Sequence, residues 1–370
     1  MTSFGAPLAR GLRLRLALGA ERPAPAPAHV IEAMQSLKVT YDEGERAVFQ
    51  LAFTTARSRA AGGAHPLLDA PWLKPGGRVT ARVLFGATAR TLLDGFVVHQ
   101  HLVPDGGAGA ATLTVTGEDV GWKLRRTPHL RPLAQRGLGA IVREVIEDGA
   151  YGALGLEARV EPPAPDAALR EFDGTVFQDC SDWEFLELLA RPFEHVVYVR
   201  PGDASGNEVY WGPAPARGPS RGRILVDAGP ATNVQGFDLS RDGMAPADFV
   251  GAVQDRLGNG AASLRSASEG DALRTEFVRF AGASEGRAQA ELDARARKSR
   301  DGAVVATGRL DAASFGDVLR AYDFVTLQGA GGGNDGLYRV RRVEHELQRG
   351  EYRQNFRLSR ADDARGGGAR

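Results

Sequence analysis

Tyr352-Arg353-Gln354-Asn355-Phe356-Arg357-Leu358-Ser359 is the stretch that sets the architecture. Tyr352, Gln354, Phe356 and Leu358 fall on one side, and Arg353, Asn355, Arg357 and Ser359 on the other. Successive side chains of a strand point to opposite faces, so this is a strand with one face toward a core. The same alternation recurs upstream. Leu37, Val39 and Tyr41 oppose Lys38, Thr40 and Asp42, and Ala47, Phe49, Leu51 and Phe53 repeat it. Val79, Ala81, Val83 and Phe85 follow the Pro75-Gly76-Gly77 turn, and 91–102 and 112–116 flank Asp105-Gly106-Gly107. Even the N-terminus alternates, with Leu12, Leu14, Leu16 and Leu18 set between Arg13 and Arg15. Short strands with polar turns predict an antiparallel barrel or sandwich.

The period changes in the middle of the chain. Leu138, Ile141, Val142, Val145 and Ile146 recur at helical spacing and predict a helix over 136–148. A second helix starts at Ser181, where Ser181 and Glu184 make a capping box. Trp183, Phe185, Leu186, Leu188 and Leu189 make it a buried helix, and Pro192 ends it. Residues 196–199 and 208–211 read as a hairpin turning at 202–207. Strands return at 224–226 and 234–240; 256–272 reads as a polar loop, and 286–299 as an Ala/Arg helix around a lone Leu292.

The fold class is therefore α+β and mainly β, with two small barrels and an α/β insertion between them. The expected boundaries are 1–28 for an N-terminal strand and a polyproline-like linker (21–28), then 29–125 for the first barrel. The α/β insertion takes 126–215, the second barrel 216–362, and 363–370 a disordered tail.

Bulk composition excludes several classes. The 370 residues hold 46 basic and 46 acidic side chains, so the net charge is zero. No broad basic field is present for nonspecific nucleic-acid binding. The single cysteine, Cys180, allows no internal disulfide and no thiolate-rich zinc site. The arginines among the N-terminal leucines break any signal-peptide core, and no apolar run is long enough to span a membrane. No internal repeat suggests a solenoid or propeller.

Candidate chemistry is sparse. His99 and His101 share one strand face but lack a third metal ligand. Gly329–Gly336 is glycine-rich, yet it leads into a strand, and a phosphate loop leads into a helix. Glu184 and Glu187 lie on one helix, but the cap already uses Glu184. Cys180 precedes that helix without an evident base. Arg125-Arg126 and Arg341-Arg342 are isolated basic pairs. No catalytic residue, metal site or cofactor is expected.

Two segments carry a resemblance. Residues 179–190 are similar to the Ser-Asp-x-x-Phe-Leu-x-x-Leu-Ala element of the phage late control gene D family, through Ser181, Asp182, Phe185, Leu186, Leu189 and Ala190. Residues 336–352 resemble that family's closing pattern, through Gly336, Tyr338, Val340, Val343 and His345, then Gly350-Glu351-Tyr352. The family supplies baseplate hubs of contractile tails and the hub part of type VI secretion spike proteins. The resemblance implies two tail-tube-like barrels and a homotrimer whose six barrels match a hexameric tube layer. It implies a spike protein, an inner tube or tube-initiator protein and baseplate wedge proteins as partners, with assembly in the bacterial cytoplasm and the particle then released or anchored. The chain stops soon after Arg360, with no oligonucleotide-binding-type barrel, β-helix or lysozyme-like segment. The spike is therefore expected as a separate polypeptide. Two other classes stay open: a tail-associated glycan- or peptidoglycan-cleaving enzyme, which an acidic pair converging on a pocket would favour, and an adhesin-like surface-binding module.

Overall fold

The computed structural model describes residues 6–7, 11–57, 65–105, 109–126, 128–133, 137–163, 176–203, 206–254, 261–266, 272–281 and 285–361. The expected tail at 363–370 lies outside the described residues, as do 204–205 of the hairpin turn and 256–260 and 267–271 of the expected polar loop.

The alternating leucines become β1 (Arg13–Gly19), where Leu14, Leu16 and Leu18 turn inward and the arginines outward. β2 (Met34–Asp42), β3 (Val48–Ala56), β4 (Arg78–Phe85), β5 (Thr88–Pro104) and β6 (Ala110–Asp119) follow. Gly117 in β6 is required by close packing. A Cβ there would lie 2.1 Å from the Phe96 carbonyl oxygen and 2.4 Å from the Phe49 ring. The Pro/Ala stretch is not a free linker: Ala24–Pro25 pairs with Ala17–Leu18, and a short helix opens at Ala28.

The middle of the chain holds α1 (Leu138–Ile146), β7 (Leu156–Val160), α2 (Asp182–Ala190), β8 (His195–Pro201) and β9 (Asn207–Pro213). β9 lies at the centre of a small sheet, parallel to β7 and antiparallel to β8. Both helices pack on it through a core of their own. That core includes Ile141, Val142, Val145, Phe185, Leu186, Leu189, Val209 and Trp211.

β10 (Ser220–Leu225) and β11 (Val234–Arg241) return to the main sheet. A separate unit then follows: β12 (Ala247–Gln254), β13 (Ala261–Arg265) and β14 (Arg274–Ala281), backed by α3 (Glu285–Arg300). The expected polar loop over 256–272 therefore contains a strand, β13, paired antiparallel with β12. Its serine and alanine side chains carry no alternation to read. Gly251 lets α3 approach, since a Cβ there would sit 2.8 Å from Phe280 and 2.9 Å from Leu292. The chain closes with β15 (Val304–Asp311), β16 (Phe324–Gln328), β17 (Gly336–Gln348) and β18 (Glu351–Arg360).

The main sheet runs β1-β4-β5-β6-β3-β2-β17-β18-β15-β11, with β16 pairing β17 and β10 pairing β16. The two β regions therefore share one sheet. β2 joins them, pairing with β17 at Leu37 with Leu347, Val39 with His345 and Tyr41 with Val343. The ends of this path do not pair among the described residues, so the two closed barrels expected from the sequence are corrected to one open sheet. Alternation fixes which face of a strand is buried, but not which strand lies beside it. The core under the sheet is correspondingly continuous, from Leu14 and Val39 through Val343 to Leu358. Among the described residues, no helix is long and apolar enough to cross a membrane.

Candidate functional site

The first motif sets the start of α2. The Ser181 hydroxyl accepts from the Glu184 amide at 3.3 Å, and the Glu184 carboxylate accepts from the Ser181 amide at 3.0 Å. Bonds from the Ser181 hydroxyl and amide hold the Glu184 carboxyl below its ordinary pKa. Asp182 is fully buried. Its carboxylate accepts from Gln178 Nε2 at 2.6 Å, from Arg131 at 3.2 Å and from the Tyr151 hydroxyl. A buried carboxylate needs that many donors. Phe185, Leu186, Leu189 and Ala190 face the core, where Trp211 Nε1 donates to the Leu186 carbonyl at 3.0 Å. α2 is not buried all round: Glu184, Glu187, Leu188 and Arg191 form an exposed face.

The second motif lies in the β17–β18 hairpin, which starts at Gly336. Tyr338, Val340 and Val343 are buried in the main core, and the Tyr338 hydroxyl donates to the Asn334 carbonyl at 2.7 Å. His345 is fully enclosed. Its Nε2 contacts the Leu319 carbonyl at 2.9 Å and its Nδ1 the Tyr352 hydroxyl at 3.0 Å. This pattern fits a neutral ring with Nε2–H donating and Nδ1 accepting. Burial pushes its pKa down to about 3. The two motifs occupy different cores, so they form no common reaction centre.

What joins those cores is a set of buried polar latches. Arg78 makes two bonds to Asp94, at 2.8 and 2.7 Å, and one to the Ala153 carbonyl at 2.9 Å. Asn207 donates to Asp94 at 2.9 Å. Asp203 accepts from the Thr91 amide at 2.7 Å and from Arg320 at 3.1 Å. Arg200 reaches Asp323 at 2.9 Å. Tyr210, Tyr198 and Tyr322 stack in series, at 4.9 and 4.3 Å between centroids. The insertion is therefore tied to both β regions of the main sheet.

A groove runs beside these latches along the exposed face of α2. One part is a cavity of about 540 Å³ between α2, the 191–197 segment, α3 and the 43–44 turn. A second part, about 250 Å³, lies at the Ser181 end and shares Gly44, Glu187 and Val197 with the first. Its floor is an ionic knot. Arg339 is 2.6 Å from Glu43 and 2.6 Å from Asp301, and Arg341 is 2.5 Å from Glu43. Burial opposes the charge on Arg339, but the Glu43 and Asp301 carboxylates outweigh it and hold its pKa above the arginine value. His195 lines the wall, edge-on to Trp211 at 4.8 Å, and burial lowers its pKa to about 4. Sequence reasoning missed this groove because its residues come from segments scattered between 43 and 341. Arg339 sits on the face of β17 opposite the core-facing Tyr338 and Val340, so its burial left no mark in the alternation.

The other candidate residues fall apart. His99 and His101 are exposed, with rings 6.4 Å apart, and among the described residues no group of three or more His, Cys, Asp or Glu could hold a metal. The Gly329–Gly336 loop already uses its own anion: Asp335 accepts from the Gly329 and Ala330 amides at 3.1 and 2.9 Å. Burial raises the Cys180 thiol, contrary to an activated nucleophile. Glu184 and Glu187 do line the groove, but Glu184 is bound in its cap and Glu187 accepts from Trp183 Nε1 at 2.6 Å. Burial pushes the Glu43 carboxyl up, yet it is clasped by two guanidiniums.

No family model matches the sequence, and no curated protein does. Solved structures do share the fold over nearly the whole chain. A tail protein from Neisseria meningitidis matches with TM-score 0.63 and 12% identity, covering 94% of this chain and 96% of that one. The 43 kDa tail protein of prophage MuSo2 from Shewanella oneidensis matches with TM-score 0.64 and 13% identity, covering 95% and 98%. A chain of the Francisella PdpA–VgrG complex matches with TM-score 0.61 and 6% identity, covering 98% of this chain and 60% of that one. The fold is shared with phage tail proteins and with a chain of a PdpA–VgrG complex.

Proposed function

We propose that this chain is a structural baseplate hub subunit of a contractile, phage-tail-like injection machine. Three copies form a ring that joins the hexameric inner tube to a separately encoded spike. In this reading, residues 29–125 and 216–362 act as two tube-like halves, and 126–215 braces them. The observation that carries it is the single sheet running through both β regions, in a fold shared end to end with phage tail proteins. The latches that tie the insertion to both β regions suit a part that transmits force as one body. Open ends at Ala6–Pro7 and β11 leave strand edges that a neighbouring subunit can pair and cover. The motif residues from Ser181 to Ala190 and from Gly336 to Tyr352 act as core and cap, not as a reaction centre.

The role is mechanical and not enzymatic. Glycoside cleavage needs a carboxylic acid kept protonated near neutral pH beside an ionised partner. Glu184 is tied in its cap, and Glu43, whose carboxyl burial raises, is clasped by Arg339 and Arg341 on the groove floor, so neither is free to protonate a substrate. Mixing the chain with the spike protein encoded beside it tests the reading. A stable complex of three copies of each is expected; a chain that ignores the spike yet releases sugars from peptidoglycan would overturn it.

A further inference from the structure

The groove along α2 carries charges that the fold does not use. Glu184, Glu187 and Arg191 stand at i, i+3 and i+7, on one helix face. At the Ser181 end the lining arginines, Arg46 and Arg125, are held by Glu118 and Asp119, whereas Glu45 and Glu187 have no ion-pair partner among the described residues. At the far end the wall is basic: Arg191 and Arg297 meet no carboxylate among the described residues, while Lys298 is held by Glu194 at 3.0 Å. His195 stands at the same end, with its Nδ1 buried and without a hydrogen-bond partner. An acidic start and a basic end also suit a helix dipole. That explanation covers Glu184 and Arg191 but not Arg297, which α3 contributes, nor Glu45, which comes from the turn after β2.

We propose that this groove is a docking site for an extended segment of another protein of the particle, one with a basic and an acidic side chain about two residues apart. The spacing follows from the helix. Four residues from Glu187 to Arg191 rise about 6 Å, the span of about two residues of extended chain. The basic side chain meets Glu45 and Glu187; the acidic one meets Arg191 and Arg297. A polyanion such as nucleic acid fits badly, because the arginines at the Ser181 end are already paired and three glutamates stand beside them. The walls are held by the Arg339 knot and the Lys298–Glu194 pair, so docking costs little ordering. The inference takes from the hub reading only that the partner belongs to the particle. The two fail separately, because docking is read on the isolated chain whatever its oligomeric state.

The test uses the full chain and four probes: acetyl-Lys-Ser-Glu-amide, its diglutamate and dilysine counterparts, and inositol hexaphosphate. The readout is the His195 ring resonance, assigned by its loss in His195→Gln. The mixed-charge peptide is expected to shift it and to bind about tenfold more tightly than either like-charged peptide. In the double variant Arg191→Glu, Arg297→Glu, whose two sites are exposed and whose folding is checked by circular dichroism, the dilysine peptide is expected to become the best ligand. No shift with any peptide, equal binding of all three, or preferential binding of inositol hexaphosphate would overturn the proposal.

Discussion

The core around α2 and the small sheet β12–β14 are built in opposite ways. Around α2, large side chains such as Trp183, Phe185 and Trp211 interlock, and buried ions tie the unit to both β regions. The β12–β14 unit rests on α3 through Phe249, Val253, Phe280 and Leu292, and its remaining buried contacts are alanines. Its far side exposes Phe277 (84%), and Leu273 (73%) and Met244 (56%) are exposed beside the same strands. The first region is built as a rigid part of the whole. The second has little apolar surface to hide and opens at lower free energy.

The largest expected effect breaks a latch. Asp94→Ala leaves Arg78 buried beside an empty site and is expected to cost about 3–5 kcal/mol in urea unfolding. It should lower the stability of α2 and the main sheet together; a loss confined to one of them would break the claim of a single body. Leu292→Ala is expected to cost about 2–3 kcal/mol locally. Hydrogen exchange should accelerate over 247–254 and 274–281 while α2 keeps its protection. Equal acceleration in both regions would erase the contrast.

Acid tests the main core through His345. Its folded pKa of about 3 lies below the ordinary 6.5, so the unfolded chain binds the proton first as pH falls. The group has no effect above pH 6.5, and stability is lost as pH drops from 6.5 toward 3. By pH 5 the loss is about 2 kcal/mol. Comparing urea midpoints at pH 7 and pH 5 with those of His345→Gln isolates it, because the variant should lack this component. The smallest effect is at the cap: Ser181→Ala is expected to cost about 1 kcal/mol, read as a drop in melting temperature. No change there would mean that tertiary packing alone sets the start of α2.

The same contrast governs what could be read in the sequence. α2 was legible to the residue, because Ser181 and Glu184 form a local capping box and Trp183 to Leu189 is densely apolar. β17 and β18 were legible from alternation and the Gly350 turn. α3 was legible too, with Leu292 as its buried contact. β13 was not, because its Ala-Ala-Ser-Leu-Arg run has no apolar period. Neither was the β2–β17 pairing that merges two expected barrels, because partners some 300 residues apart leave no local mark. The groove was hidden for the same reason. Its Glu43–Arg339 floor pairs residues 296 positions apart.

The most direct measurement of the central claim is the mass of the purified full-length chain by light scattering. The account predicts three times the chain mass for the chain alone, or a complex of three copies of each once the spike protein is added. A strict monomer that stays a monomer in the presence of the spike would contradict it.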